Sequence, residues 1–238
     1  MAPLPSVSQT GIRWGAERGP GEGRPTGSRT RVSRSERLMG YWDDQAASYE
    51  QKMASVERRF FADSRRWVCQ RAAGSTLELA VGTGLNLPLY ANDVSLTGVD
   101  WSPRMVQAAE RSASRLARSI ALTRADATAL PFDDERFDAV VCTFALCCIP
   151  DERAALAEAI RVLRPGGSLL LADHVVATHP ALRALEHVVE LVTIPLQGEH
   201  YTRRPLNAVR QLGLAIVDTE RLTHGAIERV HARKFDRR

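Results

Sequence analysis

Apolar and polar positions along the chain follow two alternating periods. Residues 37–53 place Leu38, Met39, Trp42, Ala46 and Tyr49 at helical spacing, and a second helical stretch runs to Val68. Beyond it, short apolar runs at 76–81, 95–100, 120–124, 137–143 and 168–172 read as strands. Helical runs at 85–91, 103–116 and 153–163 fall between them. Ser102 is placed to cap the helix that Pro103 begins. The turn Arg164-Pro165-Gly166-Gly167 ends the helix before the strand at 168. Strands alternating with helices predict right-handed crossovers and a parallel sheet covered on both faces. After a helical stretch at 180–196 the rhythm changes: 214–219 and 227–232 read as two strands joined by a short loop, hence an antiparallel hairpin. The expected fold is α/β, a mainly parallel seven-stranded sheet with a C-terminal antiparallel hairpin.

Residues 1–35 are rich in Gly, Pro, Ser, Thr and Arg without a period, so they are expected to form a disordered arm ahead of one domain at 36–238. The first forty residues hold seven arginines against three glutamates, which equals the formal +4 of the whole chain. The rest is balanced and carries no basic-aromatic stripe, so a nucleic-acid partner is not expected. Cys69, Cys142, Cys147 and Cys148 form no CxxC pair; reduced thiols are expected, with no disulfide and no metal site. No apolar run approaches the ~20 residues that span a bilayer. The start of the chain lacks the apolar core of a secretory signal, and a cytoplasmic location is the expectation.

The run LELAVGTGLN, 77–86, is an apolar strand ending in the turn Gly82-Thr83-Gly84, at the edge of the sheet where open α/β folds bind ligands. A dinucleotide site wants G-x-G-x-x-G, yet Leu87 stands at the third place, and no Gly-Lys-Ser/Thr follows to make a phosphate loop. The run GVDWSPRM, 98–105, ends a strand in Asp100, whose carboxylate is suited to accept both ribose hydroxyls of a nucleoside. Trp101 is placed to pack on its base. The alternative for Asp100 is helix capping, for which Ser102 is better placed. In RADATALPFDDERFDAVVC, 124–142, Asp126 follows the third strand and is suited to accept from an adenine amine; its alternative is a solvated turn residue. The run RVLRPGGSLLLADHV, 161–175, is a helix stop and a strand.

The order and spacing of these four runs resemble the S-adenosylmethionine methyltransferases that include the ubiquinone and menaquinone biosynthesis enzymes and bacterial phosphatidylethanolamine N-methyltransferases. The resemblance covers about 41–234. The run from Val140 to Val175 is also similar to the alkyl thiol methyltransferases. The resemblance implies a Rossmann-like class I methyltransferase fold with S-adenosylmethionine as cofactor. It places Glu78 near the methionine portion and implies that Gly82, Gly84, Asp100 and Asp126 bind the cofactor. Ala80 and Asn86 replace two of the family's motif glycines, and Trp101, Ala127 and Thr143 complete the expected contact set. The site is expected to hold no metal.

For the acceptor, the chemistry expected is methyl transfer to a small, lipophilic thiol, phenol or quinol, or lipid amine. In-line displacement on a sulfonium asks mainly for positioning. His174, after the fifth strand and beside Asp173, is the candidate catalytic base, with a hydrogen-bonding loop histidine as the alternative. The apolar stretch 180–196 sits where this fold builds its acceptor lid, which leaves membrane-surface contact open beside a plain core helix. His200, Tyr201, Arg203 and Arg204 lie near the same edge, as acceptor contacts or as a solvated loop. The Asp/Asn-Pro-Pro-Tyr/Phe run of nucleic-acid methyltransferases is missing; Cys142-Thr143-Phe144-Ala145 stands there. A catalytically silent cofactor-binding protein of the same fold is the competing reading.

Overall fold

A computed structural model describes residues 33–61, 63–116 and 118–236. The expected arm therefore lies outside the described residues except at its end, where Ser33 caps the first helix. That helix, α1 (Arg34–Gln45), opens with a capping box in which Ser33 and Glu36 exchange hydrogen bonds. Then come α2 (Tyr49–Val56), a π-helical turn (Glu57–Phe61) and α3 (Ser64–Cys69).

Seven strands form one sheet: β1 (Ser75–Leu79), β2 (Ser95–Asp100), β3 (Ala121–Arg124), β4 (Phe137–Thr143), β5 (Leu163–His174), β6 (Ala215–Leu222) and β7 (Ile227–Arg233). Their order is β3-β2-β1-β4-β5-β7-β6. The first five pair in parallel, while β7 runs antiparallel to both β5 and β6. The central strands read as unbroken apolar runs because both of their faces are covered. Leu77, Leu79, Val140, Cys142, Leu169 and Leu171 turn to one core, with α5 (Glu152–Val162) and α7 (Pro205–Gln211) above them. Ala139, Val141, Leu170 and Ala172 turn to the other, against α3 and α4 (Pro103–Ala113). The last helix to be placed is α6 (Pro180–Gln197), between β5 and α7.

Three local expectations are corrected. The helix expected at 85–91 is a single 3-10 turn, Leu87–Leu89. Pro88 lacks the N–H a helix needs and disfavours helical geometry at Leu87, while the Asn86 side chain is held elsewhere, as described below. The strand expected at 168–172 is longer: Leu163 already pairs with Phe137, and the Arg-Pro-Gly-Gly run is an irregularity between two paired stretches. Helix α7 was not expected, because its seven residues carry less than two turns of pattern. Ser102 does cap α4, accepting from the Met105 amide at 3.1 Å. All four cysteines are free thiols.

Candidate functional site

The strand order reverses between β1 and β4, and the cleft opens at their carboxyl ends, the switch point where open α/β sheets bind ligands. Both chains turn sharply there. Ala80 and Phe144, each the first residue after its strand, hold φ of +51°, a left-handed conformation that costs a non-glycine residue. Gly82 follows at φ +56°, and a Cβ built on it would meet nothing within 4 Å. Because Gly82 lines the cleft, that open space is room for a ligand to touch backbone. Gly84 is different: a Cβ there would come to 2.8 Å from Leu87 Cδ1, so this glycine serves packing behind the turn.

Asp100 closes the turn from the neighbouring strand. Its Oδ2 accepts the Gly82 N–H at 3.0 Å and its Oδ1 the Ser102 N–H at 2.9 Å. Burial raises its pKa to about 6 against these hydrogen bonds. Each carboxylate oxygen has two lone pairs, so one on each is left for a donor in the cleft. Trp101, Ala125, Asp126 and Ala127 line the same end. Asp126 is exposed, and its Oδ1 accepts from the Thr128 amide and hydroxyl at 2.8 and 2.7 Å. One of its oxygens thus holds a turn while the residue faces the cleft.

Glu78, Asn86 and Gly84 stand one layer behind the lining. Glu78 is buried, with Oε1 accepting from Asn86 Nδ2 at 2.8 Å and Oε2 from the Tyr90 hydroxyl at 2.9 Å. Burial pushes its pKa up to about 7, while Tyr90 and Asn86 pull the other way. Asn86 Nδ2 also reaches Thr143 Oγ1 at 2.9 Å, which ties β1 to β4 across the site. The sequence reading missed the next member, Arg65 from α3. Its guanidinium donates to Thr143 Oγ1 at 2.8 Å and Asn86 Oδ1 at 3.3 Å, pairs with Glu57 at 2.6 Å, and lies 4.9 Å from the Phe144 ring centroid. Phe61 stacks on Phe144 at 3.8 Å. Trp42 from α1, Tyr49 from α2 and Ile149 and Pro150 after β4 complete an aromatic and apolar wall. No motif marks these residues in sequence; they come from helices packed over the sheet.

His174 does not line this cleft. It is buried, stacked on Tyr201 at 4.5 Å, with Nε2 3.4 Å from Glu199 Oε1. Its Nδ1 finds no hydrogen-bond partner among the described residues. Burial lowers its pKa, but the Glu199 hydrogen bond and the charges of Asp173, Glu199 and Glu186 outweigh burial and raise it. Glu199 is lowered despite burial, by His174 and Tyr201. Cys147, Asp173 and His174 bring potential metal ligands within 4.8 Å of one another, where the sequence expectation was none. Both Asp173 oxygens there already accept backbone amides, of Cys147 at 3.2 Å and His174 at 2.9 Å. Arg203 and Arg204 do structural work instead: Arg203 donates to the Leu146 and Ile149 carbonyls at 2.9 and 2.6 Å, and Arg204 pairs with buried Glu228 at 2.7 Å.

A glycine turn without phosphate-binding features, facing a buried carboxylate at the end of the adjacent strand, defines a Rossmann-like protein that binds a nucleoside cofactor. The methyltransferase domain family matches residues 77–171. A demethylmenaquinone methyltransferase of Clavibacter sepedonicus is 30% identical over 184 residues, 68% of this chain and 74% of that protein. A phosphatidylethanolamine N-methyltransferase of Cereibacter sphaeroides is 36% identical over 115 residues, 48% of this chain and 57% of that protein. The match to this second relative therefore spans little more than half of its length. In fold, the chain is similar to the geranyl diphosphate C-methyltransferase of Streptomyces coelicolor, solved with S-adenosyl-L-homocysteine. The TM-score is 0.66 at 14% identity, over 84% of this chain and 98% of that one. The chain belongs to the class I S-adenosylmethionine-dependent methyltransferases, and S-adenosylmethionine is its cofactor.

Proposed function

We propose that the protein moves the methyl group of S-adenosylmethionine to a small lipophilic acceptor: a thiol, a phenol or quinol, or a lipid amine. The observation that carries this reading is the wall opposite the glycine turn, where Trp42, Tyr49, Phe144, Ile149 and Pro150 give an acceptor aromatic and apolar surface. When bound, the cofactor supplies a methyl group on a positively charged sulfur. Asp100 accepts the ribose hydroxyls with its two remaining lone pairs, while Trp101, Asp126 and Ala127 hold the adenine. Gly82 and Ala80 let the cofactor lie against backbone. Arg65 meets the methionine carboxylate, held in place by Thr143, Asn86 and Glu57. Glu78 acts through Asn86 and is a positioning residue. His174 is the base for the acceptor: Glu199 fixes its Nε2–H, and Nδ1 keeps a lone pair for a proton. His174 lies outside the cleft lining, so this role requires a rearrangement that opens its Nδ1 to the acceptor.

A screen of alkyl thiols, phenols, quinol precursors and phospholipid amines, read by release of S-adenosylhomocysteine, tests the reading. Turnover on one lipophilic class supports it. Cofactor binding without turnover on any class would leave a silent binding protein.

A further inference from the structure

Helix α6 is mounted inside out. Its two acids face the protein: Glu186 accepts the Ala177 amide at 2.8 Å, and Glu190 accepts the Thr202 amide and hydroxyl at 2.8 and 2.9 Å. Both are buried. The opposite face exposes Leu185, Val188, Leu191, Val192 and Leu196, each more than half accessible, with Leu191 at 76%. Their spacing puts them on one stripe along most of the helix. Isolated exposed apolar residues are ordinary, but a contiguous stripe marks a contact surface.

The exposed charge on α6 itself is basic. Arg183 is exposed, and no acid of α6 accompanies it outward. Helix α1, joined to α6 by a 2.5 Å hydrogen bond from Tyr41 to Gln197, adds exposed Arg34 and Arg37 in its first turn against one acid there, Glu36, while Asp44 at its far end pairs with Arg104. No helix among the described residues is long and apolar enough to cross a membrane. We infer that the outer face of α6 docks on an anionic phospholipid surface, its leucines and valines entering the headgroup boundary and the arginines meeting lipid phosphates. A second copy of this chain fits less well, because its α6 offers no exposed acid to Arg183. The inference rests on the orientation of α6 and not on the identity of the methyl acceptor.

Flotation of the full chain with vesicles tests it, using phosphatidylcholine alone and phosphatidylcholine mixed with phosphatidylglycerol. Wild type should float with the mixed vesicles. Leu191→Glu should lower the bound fraction by on the order of tenfold or more, since insertion scales with the apolar surface buried. Arg183→Glu should reduce the preference for mixed vesicles. Both positions are exposed, so the melting temperature should not move, and turnover on a water-soluble acceptor should stay at the wild-type level. Wild type that stays with the unbound protein, or Leu191→Glu that floats like wild type, overturns the inference. Light scattering without lipid reads the rival occupant: a dimer that Leu191→Glu dissociates would assign the face to a second copy instead.

Discussion

The carboxylate of Asp100 holds the backbone amide of Gly82 at 3.0 Å, so the end of the second strand fixes the turn that follows the first. One side chain thus shapes the cofactor turn and, in our reading, binds the cofactor.

This double duty makes Asp100→Ala a poor variant, because it also strands the amides of Gly82 and Ser102. Asp100→Asn keeps an acceptor oxygen for one of the two amides and should weaken S-adenosylhomocysteine binding about tenfold to a hundredfold, the range for one hydrogen bond to a charged group. Calorimetric titration measures it; unchanged affinity removes Asp100 from the cofactor site.

The pH dependence has a definite sign. Burial raises the Asp100 pKa to about 6, and the charged form accepts the ribose hydroxyls. S-adenosylhomocysteine affinity should therefore rise as pH climbs through about 6, by up to about tenfold per pH unit below it. Stability moves the other way. An acid raised in the folded state favours folding below its unfolded value, and that contribution is lost as pH rises through the folded value. Wild type should lose stability relative to Asp100→Asn across the same window, on the order of 2–3 kcal/mol. Titrations and thermal melts at several pH values read both; a flat affinity profile contradicts the assignment.

Arg65 gives a more selective test. If its guanidinium meets the methionine carboxylate, Arg65→Met should weaken S-adenosylhomocysteine binding by about tenfold to a hundredfold. Adenosine, which lacks that carboxylate, should bind as before. Equal losses for both ligands would mean that Arg65 only braces Thr143 and Asn86.

Ala80 occupies a left-handed position with a φ of +51°. Relief of that strain is worth about 1–2 kcal/mol, and the added freedom of glycine in the unfolded chain costs about 0.5–1 kcal/mol. Ala80→Gly should therefore melt at the same temperature or a few degrees higher, with cofactor affinity retained. A clear fall in melting temperature would show that the Ala80 methyl contributes packing that outweighs the strain.

The sheet was legible because its signals are local: period-two or continuous apolar runs, glycine turns and the Ser102-Pro103 helix start. The same local signal placed Gly82, Asp100 and Asp126 at one edge. It failed where tertiary contacts decide. Residues 85–91 look helical, yet Pro88 and the Asn86 bridge to Glu78 and Thr143 hold them in a short turn. Arg65 belongs to an unremarkable arginine-rich helix, and only packing of α3 over the sheet brings it to Thr143. The apolar spacing in 180–196 was visible, but its direction was not, because the acids that anchor α6 look like a solvated face in sequence.

His174 Nε2 and Glu199 Oε1 lie 3.4 Å apart. As a base, His174 must be neutral, and its pKa is raised despite burial by the Glu199 hydrogen bond and nearby carboxylates. Turnover should therefore rise with pH along a limb above the ordinary histidine value near 6.5. His174→Ala should lower turnover by about a hundredfold or more at neutral pH, with cofactor affinity retained. For a thiol acceptor the deficit should shrink above about pH 8.5, where the thiolate forms unaided, whereas a phenol should keep it to about pH 10. Glu199→Gln removes the charge that raises the imidazole, so the limb should move to lower pH. A purely structural role for Glu199 would cut turnover without moving the limb. Full activity of His174→Ala at neutral pH would end the base assignment and leave positioning by the aromatic wall as the source of catalysis.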